Sequence, residues 1–303
     1  MIVEAKGLRK RYNHVWALDG LDLAVQEGEI YGLLGPNGSG KTTTILILLG
    51  LTEPTAGTVR VCGYNPVREP LAVKRVVGYL SEKVGFYEEL SARENLQLIT
   101  RLNGIPDREA KKRIEEALEH VGLADVAGRP VATFSHGMRQ RLGIADVLVK
   151  KPRLAILDEP TSGIDPEGAV QILDLIKRLR DEAGMTIILS SHLLYQVQRI
   201  CDRVGILQRG RMVAEGTVAE LVGAGEGYWA KVEGATPALR ARLEGEDWTF
   251  AVEELAPGLL QVALEENARA ALFRIVAEEG AVISELRPRV RTLEEIYLRY
   301  FQE

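Results

Sequence analysis

From Gly35 to Thr42 the chain reads G-P-N-G-S-G-K-T, and Gly35, Gly40, Lys41 and Thr42 stand at the fixed points of the pattern G-x-x-x-x-G-K-[ST]. Glycines let successive backbone N–H groups turn toward one anion without a Cβ in the way. A helix starting at Lys41 would add its positive end. The Lys41 ammonium then reaches the β- and γ-phosphates of a nucleoside triphosphate, and the Thr42 hydroxyl is placed to bind Mg²⁺. Asn37, Gly38, Ser39 and Thr43 complete the phosphate cradle. A glycine-rich turn that binds nothing would also fit the composition. The setting between an apolar strand and a helix is what the phosphate-binding mechanism requires.

Two further groups could act on that phosphate. The apolar run "RLAILDEP" ends in Asp158 and Glu159, and a carboxylate at the carboxyl end of a parallel strand faces the same crevice as a phosphate loop. Asp158 would hold Mg²⁺ through water, because that ion keeps much of its hydration shell. Glu159 would orient or deprotonate an attacking water. Taken alone, the pair also reads as the acidic start of a helix near Pro160. His192 closes the next apolar run, "TIILSSH". If its strand neighbours the other two, its imidazole reaches the same crevice; otherwise it is a structural hydrogen-bonding group.

These residues need a scaffold that brings strand ends together. "EIYGLLG", "RLAILDEP" and "TIILSSH" are near-continuous apolar runs, as expected of strands buried on both faces. Each precedes a helix-like segment, which predicts an α/β fold with a parallel sheet. Residues 90 to 150 read as almost entirely helical. Ser91 and Glu94 have the spacing of a capping box, and Gly122 ends the amphipathic stretch "DREAKKRIEEALEHVG". A linker is expected at Gly223 to Gly227. Beyond it the order strand, helix, strand, strand, helix, strand is the ferredoxin-like α+β pattern. At the end, Leu293, Ile296, Tyr297, Tyr300 and Phe301 fall on one helical face, suited to its own domain or to a twin subunit.

Bulk properties narrow the classes further. The 303 residues are 46% hydrophobic and 27% charged, enough for a large domain with a smaller companion. A formal charge of −5 argues against nucleic-acid binding through a basic face. The two cysteines, Cys62 and Cys201, lie far apart and outside metal-ligand spacing, as in a reduced intracellular protein. The start lacks a signal-peptide core, and no apolar run is long enough to span a bilayer. Work at a membrane would need another chain to make the crossing.

Together the motifs resemble the ATP-binding subunit of an ABC transporter, over about residues 2 to 220 and in that family's order. "GPNGSGKT" looks like its Walker A and "LAILDE" like its Walker B. "SGID", ending at Asp165, is similar to its D-loop, His192 to its switch histidine, and Tyr12 to the aromatic residue that stacks on adenine. The resemblance implies a P-loop NTPase core at residues 1–222 with a helical subdomain at about 82–150; residues 228–303, beyond its reach, are expected to form an accessory or regulatory domain. The five residues "FSHGM" hold the place of the family signature Leu-Ser-Gly-Gly-Gln, with Phe134, His136 and Met138 departing from it. Ser135 and Gly137 match, and the resemblance gives them to the γ-phosphate of ATP on an opposing subunit. His136 is expected to point toward solvent or along the phosphate edge, where a protonated imidazole would favour the anion. Glu82 stands where the family has a metal-binding glutamine, and it too can offer an oxygen to Mg²⁺.

The implied function is an ATPase that dimerises around two ATP molecules, as a homodimer or heterodimer, and drives a separate integral membrane permease from the cytoplasmic side. Glu82, "GFYEEL" and the tail "TLEEIYLRY" resemble subunits paired with ABC-2 type export permeases. A soluble ABC ATPase of translation or repair, and a non-hydrolysing regulatory subunit, are the competing readings.

Overall fold

The computed structural model describes residues 1–222, 227–289 and 293–301. The chain divides into two compact units, Met1–Val218 and Ala219–Glu303. Of the expected linker only Gly227 falls among the described residues, and the side chains of Tyr300 and Phe301 fall outside them.

The first unit opens with a hairpin of β1 (Val3–Tyr12) and β2 (Val15–Val25). Its two-residue connection puts Asn13 at φ 49°, a conformation that asparagine tolerates better than most side chains. Next come β3 (Ile30–Leu34), α1 (Lys41–Leu48), β4 (Ala56–Val61), α2 (Pro70–Val76) and β5 (Val77–Leu80). Three helices follow: α3 (Ala92–Leu102), α4 (Asp107–His120) and α5 (His136–Val149). The capping box forms at the start of α3, where Ser91 and Glu94 satisfy each other's backbone N–H. Past the end of α4, Gly122 takes φ 68°, the left-handed exit that favours glycine. The unit then runs through β6 (Leu154–Asp158), α6 (Pro166–Ala183), β7 (Thr186–Ser191), α7 (Leu194–Ile200), β8 (Arg203–Gln208) and β9 (Arg211–Thr217) to α8 (Val218–Val222) at its boundary.

Six of these strands form one sheet in the order β5–β6–β7–β3–β8–β9. Every residue of β3, β6 and β7 is buried, as strands covered on both faces require. The expected parallel core holds for five strands, whereas β9 runs antiparallel to β8. The reason is local: Arg209 and Gly210 both adopt positive φ, 48° and 78°, and close a two-residue hairpin. A separate antiparallel sheet, β2–β1–β4, completes the unit. Leu8, Leu21, Leu33, Ile45, Leu48, Val61 and Ile156 share one buried cluster, which welds that sheet to α1 and to the central strands.

The second unit contains β10 (Tyr228–Glu233), α9 (Pro237–Glu244), β11 (Thr249–Ala256), β12 (Leu259–Leu264), α10 (Arg269–Glu278), β13 (Val282–Pro288) and α11 (Leu293–Phe301). Its strands pair antiparallel in the order β11–β12–β10–β13. Val232, Leu239, Leu260, Val262, Leu272 and Ile275 form a core of its own, and Leu293 of α11 is fully buried.

Ile45 is fully buried on the helix that carries Lys41. Ile45→Ala should therefore cost roughly 2–5 kcal/mol, through lost transfer energy plus a cavity. Urea unfolding followed by circular dichroism will show a lower midpoint with an unchanged slope.

Candidate functional site

The phosphate loop joins the end of β3 to the start of α1. Gly35 lies at φ 153°, and a Cβ there would come within 2.4 Å of the Ser39 hydroxyl and 2.5 Å of the Leu207 carbonyl. Gly40 lies at φ 113°, with the Ala17 carbonyl 2.8 Å from where its Cβ would be. The loop thus closes only with glycine at both positions. Asn37 and Gly38 form its exposed tip, and the Gly210 N–H braces it by donating to the Ser39 carbonyl at 2.8 Å. Thr42 is exposed and Thr43 half-buried on the first turn of α1.

The Lys41 ammonium donates to the Gly35 carbonyl at 2.6 Å and the Pro36 carbonyl at 3.3 Å, and lies 3.8 Å from a Glu159 oxygen. Among the described residues the Ser39 hydroxyl is buried with no hydrogen-bond partner. A buried donor of that kind beside a side-chain-free cradle fits an anion such as a phosphate.

Strand order brings the remaining groups to this loop. β7 lies between β6 and β3, with Asp158 beside Ser190 and Leu34 beside Ser191. Asp158 ends β6 and is 5% exposed, and Glu159 follows it at 9%. Glu159 has φ 49°, which is uncommon for a glutamate. Its N–H is held there by the Ser190 carbonyl at 3.2 Å and the Ser190 hydroxyl at 3.0 Å. The same hydroxyl donates to an Asp158 oxygen. His192, just past β7, approaches the other Glu159 oxygen at 2.9 Å through Nδ1. Glu159 thus gives one oxygen to Lys41 and the other to His192, in the crevice that the strand ends were expected to share. No helix begins at Pro160; the next starts at Pro166.

Burial dominates the electrostatics. It pushes the Asp158 carboxyl up, against the Ser190 hydrogen bond and the Lys41 charge that hold it down. It pushes Glu159 up as well, offset by His192 and Lys41. It pulls Lys41 down, while Glu159, Asp158 and Glu82 favour its charge. Glu82 itself is exposed in the turn after β5, close enough for its charge to act on both Lys41 and Asp158. The Thr42 hydroxyl and the Asp158 and Glu82 carboxylates are hard oxygen donors, a set that suits Mg²⁺ completed by water and phosphate oxygens.

Comparison with known proteins settles the class. The family described as ABC transporter matches residues 18–162. The linearmycin resistance ATP-binding protein LnrL of Bacillus subtilis is 40% identical over 220 residues, 73% of this chain and 70% of that one. The bacitracin transport ATP-binding protein BcrA of Bacillus licheniformis is 43% identical over 214 residues, 71% and 69% of the two chains. This chain belongs to the ABC transporter family. It is an ATP-binding subunit, and an ATPase.

Solved ABC cassettes share its fold. CbiO1 from Clostridium perfringens superimposes with a TM-score of 0.68 at 28% identity, over 73% of this chain and 90% of that one. The dimeric cassette MJ0796 in a post-hydrolysis state, bound to ADP and phosphate, superimposes with a TM-score of 0.65 at 27% identity, over 72% and 99%.

Other positions picked out in this ABC subunit make their contacts elsewhere. Tyr12 ends β1 at the hairpin turn, 44% exposed, with the Lys10 ammonium 4.8 Å above its ring. Ser135 caps α5 by accepting from the Met138 N–H at 3.3 Å, and Gly137 follows in the first turn. Asp165 caps α6 by accepting from the Gly168 N–H at 3.1 Å. Among the described residues, none of these four side chains or caps bonds to the phosphate loop of its own chain. His136 is exposed, as expected, and its Nε2 also meets the Ser162 carbonyl at 3.0 Å, a partner on the D-loop that the sequence did not suggest.

Sequence reasoning missed Ser190, the joint between Asp158 and Glu159. Its one signal was a pair of hydroxyl residues, Ser190 and Ser191, closing an otherwise apolar strand.

Because burial holds Glu159 above the ordinary glutamate range, its ionised form opposes folding. The stability it lends is complete below about pH 4, the unfolded value, and is lost as pH rises through the folded one. Glu159→Gln without nucleotide should accordingly melt higher than the native chain at pH 7, with the gap closing toward pH 4. Differential scanning calorimetry across that range will test the sign.

Proposed function

We propose that this ATPase cleaves ATP in a composite pocket formed by two copies, or by this chain and a similar one, and drives an export permease from the cytoplasmic face of a membrane. Gly35, Asn37, Gly38, Ser39, Gly40, Lys41, Thr42 and Thr43 cradle the phosphates, and Tyr12 stacks on the base. Aromatic stacking of this kind is worth about 0.5–1.5 kcal/mol beyond the area it buries. Thr42, Asp158 and Glu82 would hold Mg²⁺, which when bound would supply charge neutralisation on the phosphate oxygens.

Glu159 takes a proton from, or orients, the attacking water, and His192 holds the carboxylate by its second oxygen. Lys41 swings from the loop carbonyls to the γ-phosphate, which frees the Glu159 oxygen it faces. The observation that carries this reading is the shared crevice, where Lys41 and His192 approach opposite oxygens of one buried carboxylate.

Ser135, Gly137 and Asp165 are offered to the ATP of the second copy. Among the described residues they make no hydrogen bond to the loop of their own chain, which supports that division, as does the dimeric state of a structural neighbour. Positioning and charge stabilisation suffice for phosphoryl transfer, so neither half works until the pocket closes. The names of relatives that confer resistance to linearmycin or transport bacitracin support pairing with an exporter. No described helix is long and apolar enough to cross a membrane, in keeping with a permease that is a separate chain. Residues 228–303 are read as an accessory or regulatory domain.

Glu159→Gln should keep ATP binding, slow turnover by about 10²–10⁴-fold and accumulate an ATP-bound dimer. Phosphate release together with size exclusion in ATP and Mg²⁺ will decide. Brisk turnover would remove Glu159 from its role, and a nucleotide-loaded monomer would sink the composite pocket.

A further inference from the structure

Among the three departures from the family signature, His136 makes a side-chain hydrogen bond to a segment distant in the sequence. It opens α5 immediately after the Ser135 cap. Across 26 residues of sequence its Nε2 lies 3.0 Å from the Ser162 carbonyl. A carbonyl only accepts, so the ring carries its proton on Nε2 and donates. The imidazole also rests against Gly163. There φ is 71°, and a Cβ would lie 3.4 Å from Nε2 and 3.7 Å from Cδ2. Any residue but glycine at 163 would be strained by its backbone, while its Cβ would meet the ring in ordinary van der Waals contact.

The loop that receives this bond is anchored at both ends. The Ser162 N–H donates to the Glu159 carbonyl at 3.0 Å, and the Ile164 N–H to the Thr161 carbonyl at 3.3 Å. The buried Thr161 hydroxyl bonds to Gln196 on α7, and Asp165 is committed to capping α6. Its middle, Ser162 and Gly163, projects between those anchors. Ser162 therefore links two elements through its own peptide groups: its N–H leads back to Glu159, and its carbonyl leads out to the start of α5. A glycine at 136, as in the usual signature, would leave that carbonyl without the imidazole.

We propose that His136 is a positioning residue that ties the D-loop to the first turn of α5, so that Ser135, Gly137 and Asp165 are presented to the second copy as one rigid unit. This rests on the composite-pocket reading above. The tie also joins the residues serving the neighbour's ATP to the backbone of Glu159, which serves the chain's own. Its effect falls on a loop whose middle, Ser162 and Gly163, is half-buried to exposed.

Two variants separate the bond from the bulk of the ring. His136→Gln keeps an N–H donor at comparable reach, and His136→Leu keeps volume without a donor. In the nucleotide-free full chain, hydrogen exchange at the Ser162 and Ile164 amides should run several-fold to about tenfold faster in His136→Leu. Exchange in the phosphate loop should not change. His136→Gln should restore the native rate. In steady state, His136→Leu should lose about tenfold in kcat with KM for ATP little altered, and His136→Gln should recover most of it.

Unchanged D-loop exchange in His136→Leu, or equal acceleration in both variants, would overturn the tie. The exchange measurement needs no dimer and no nucleotide. Failure of Glu159→Gln to dimerise with His136 intact would count against the composite pocket and leave the tie standing.

Discussion

The placement of β7 between β6 and β3 is the constraint on which the site depends. None of the three strands carries a working set of groups alone. β3 delivers the phosphate loop, β6 the two carboxylates and β7 a serine and a histidine, and parallel pairing brings their carboxyl ends to one edge of the sheet. Ser190 makes this arrangement specific. Its carbonyl and hydroxyl both accept from the Glu159 N–H, and its hydroxyl donates to Asp158. One small side chain on the central strand thereby sets where the backbone turns after β6 and how one carboxylate is aimed.

The charges gathered there stay in place because each partly offsets the burial of another. Asp158, Glu159 and Lys41 are each driven toward neutrality by loss of solvent, and each is drawn back by a neighbour of opposite sign. His192 stays half-exposed while holding a Glu159 oxygen. Such a cluster responds strongly to any further charge entering the crevice. A triphosphate with its metal is such a charge, and Lys41 already faces the loop that would receive it.

Much of this was legible in the sequence, for identifiable reasons. The phosphate loop could be read because its chemistry tolerates few residue types at fixed spacing. The strands β3, β6 and β7 could be read because burial on both faces leaves an unbroken apolar run. The sheet of β1, β2 and β4 escaped notice, since exposed and buried residues mix along those strands. The reversal of β9 turned on Arg209 and Gly210, a pair that gives a weaker signal than asparagine–glycine. Ser190 and the partner of His136 were out of reach. Both depend on which segments become neighbours after folding, and neither residue type announces its partner.

The left-handed backbone at Glu159 has a consequence for how this chain can change over generations. That conformation suits glycine or asparagine better than glutamate, and the carboxylate adds the penalty of its own burial. Random drift favouring a sturdier fold would therefore press on this position among the first. On the role proposed for Glu159, a lineage keeps glutamate here only while turnover itself is under selection, and loss of this residue in a descendant would mark a subunit retired from hydrolysis before its fold had decayed.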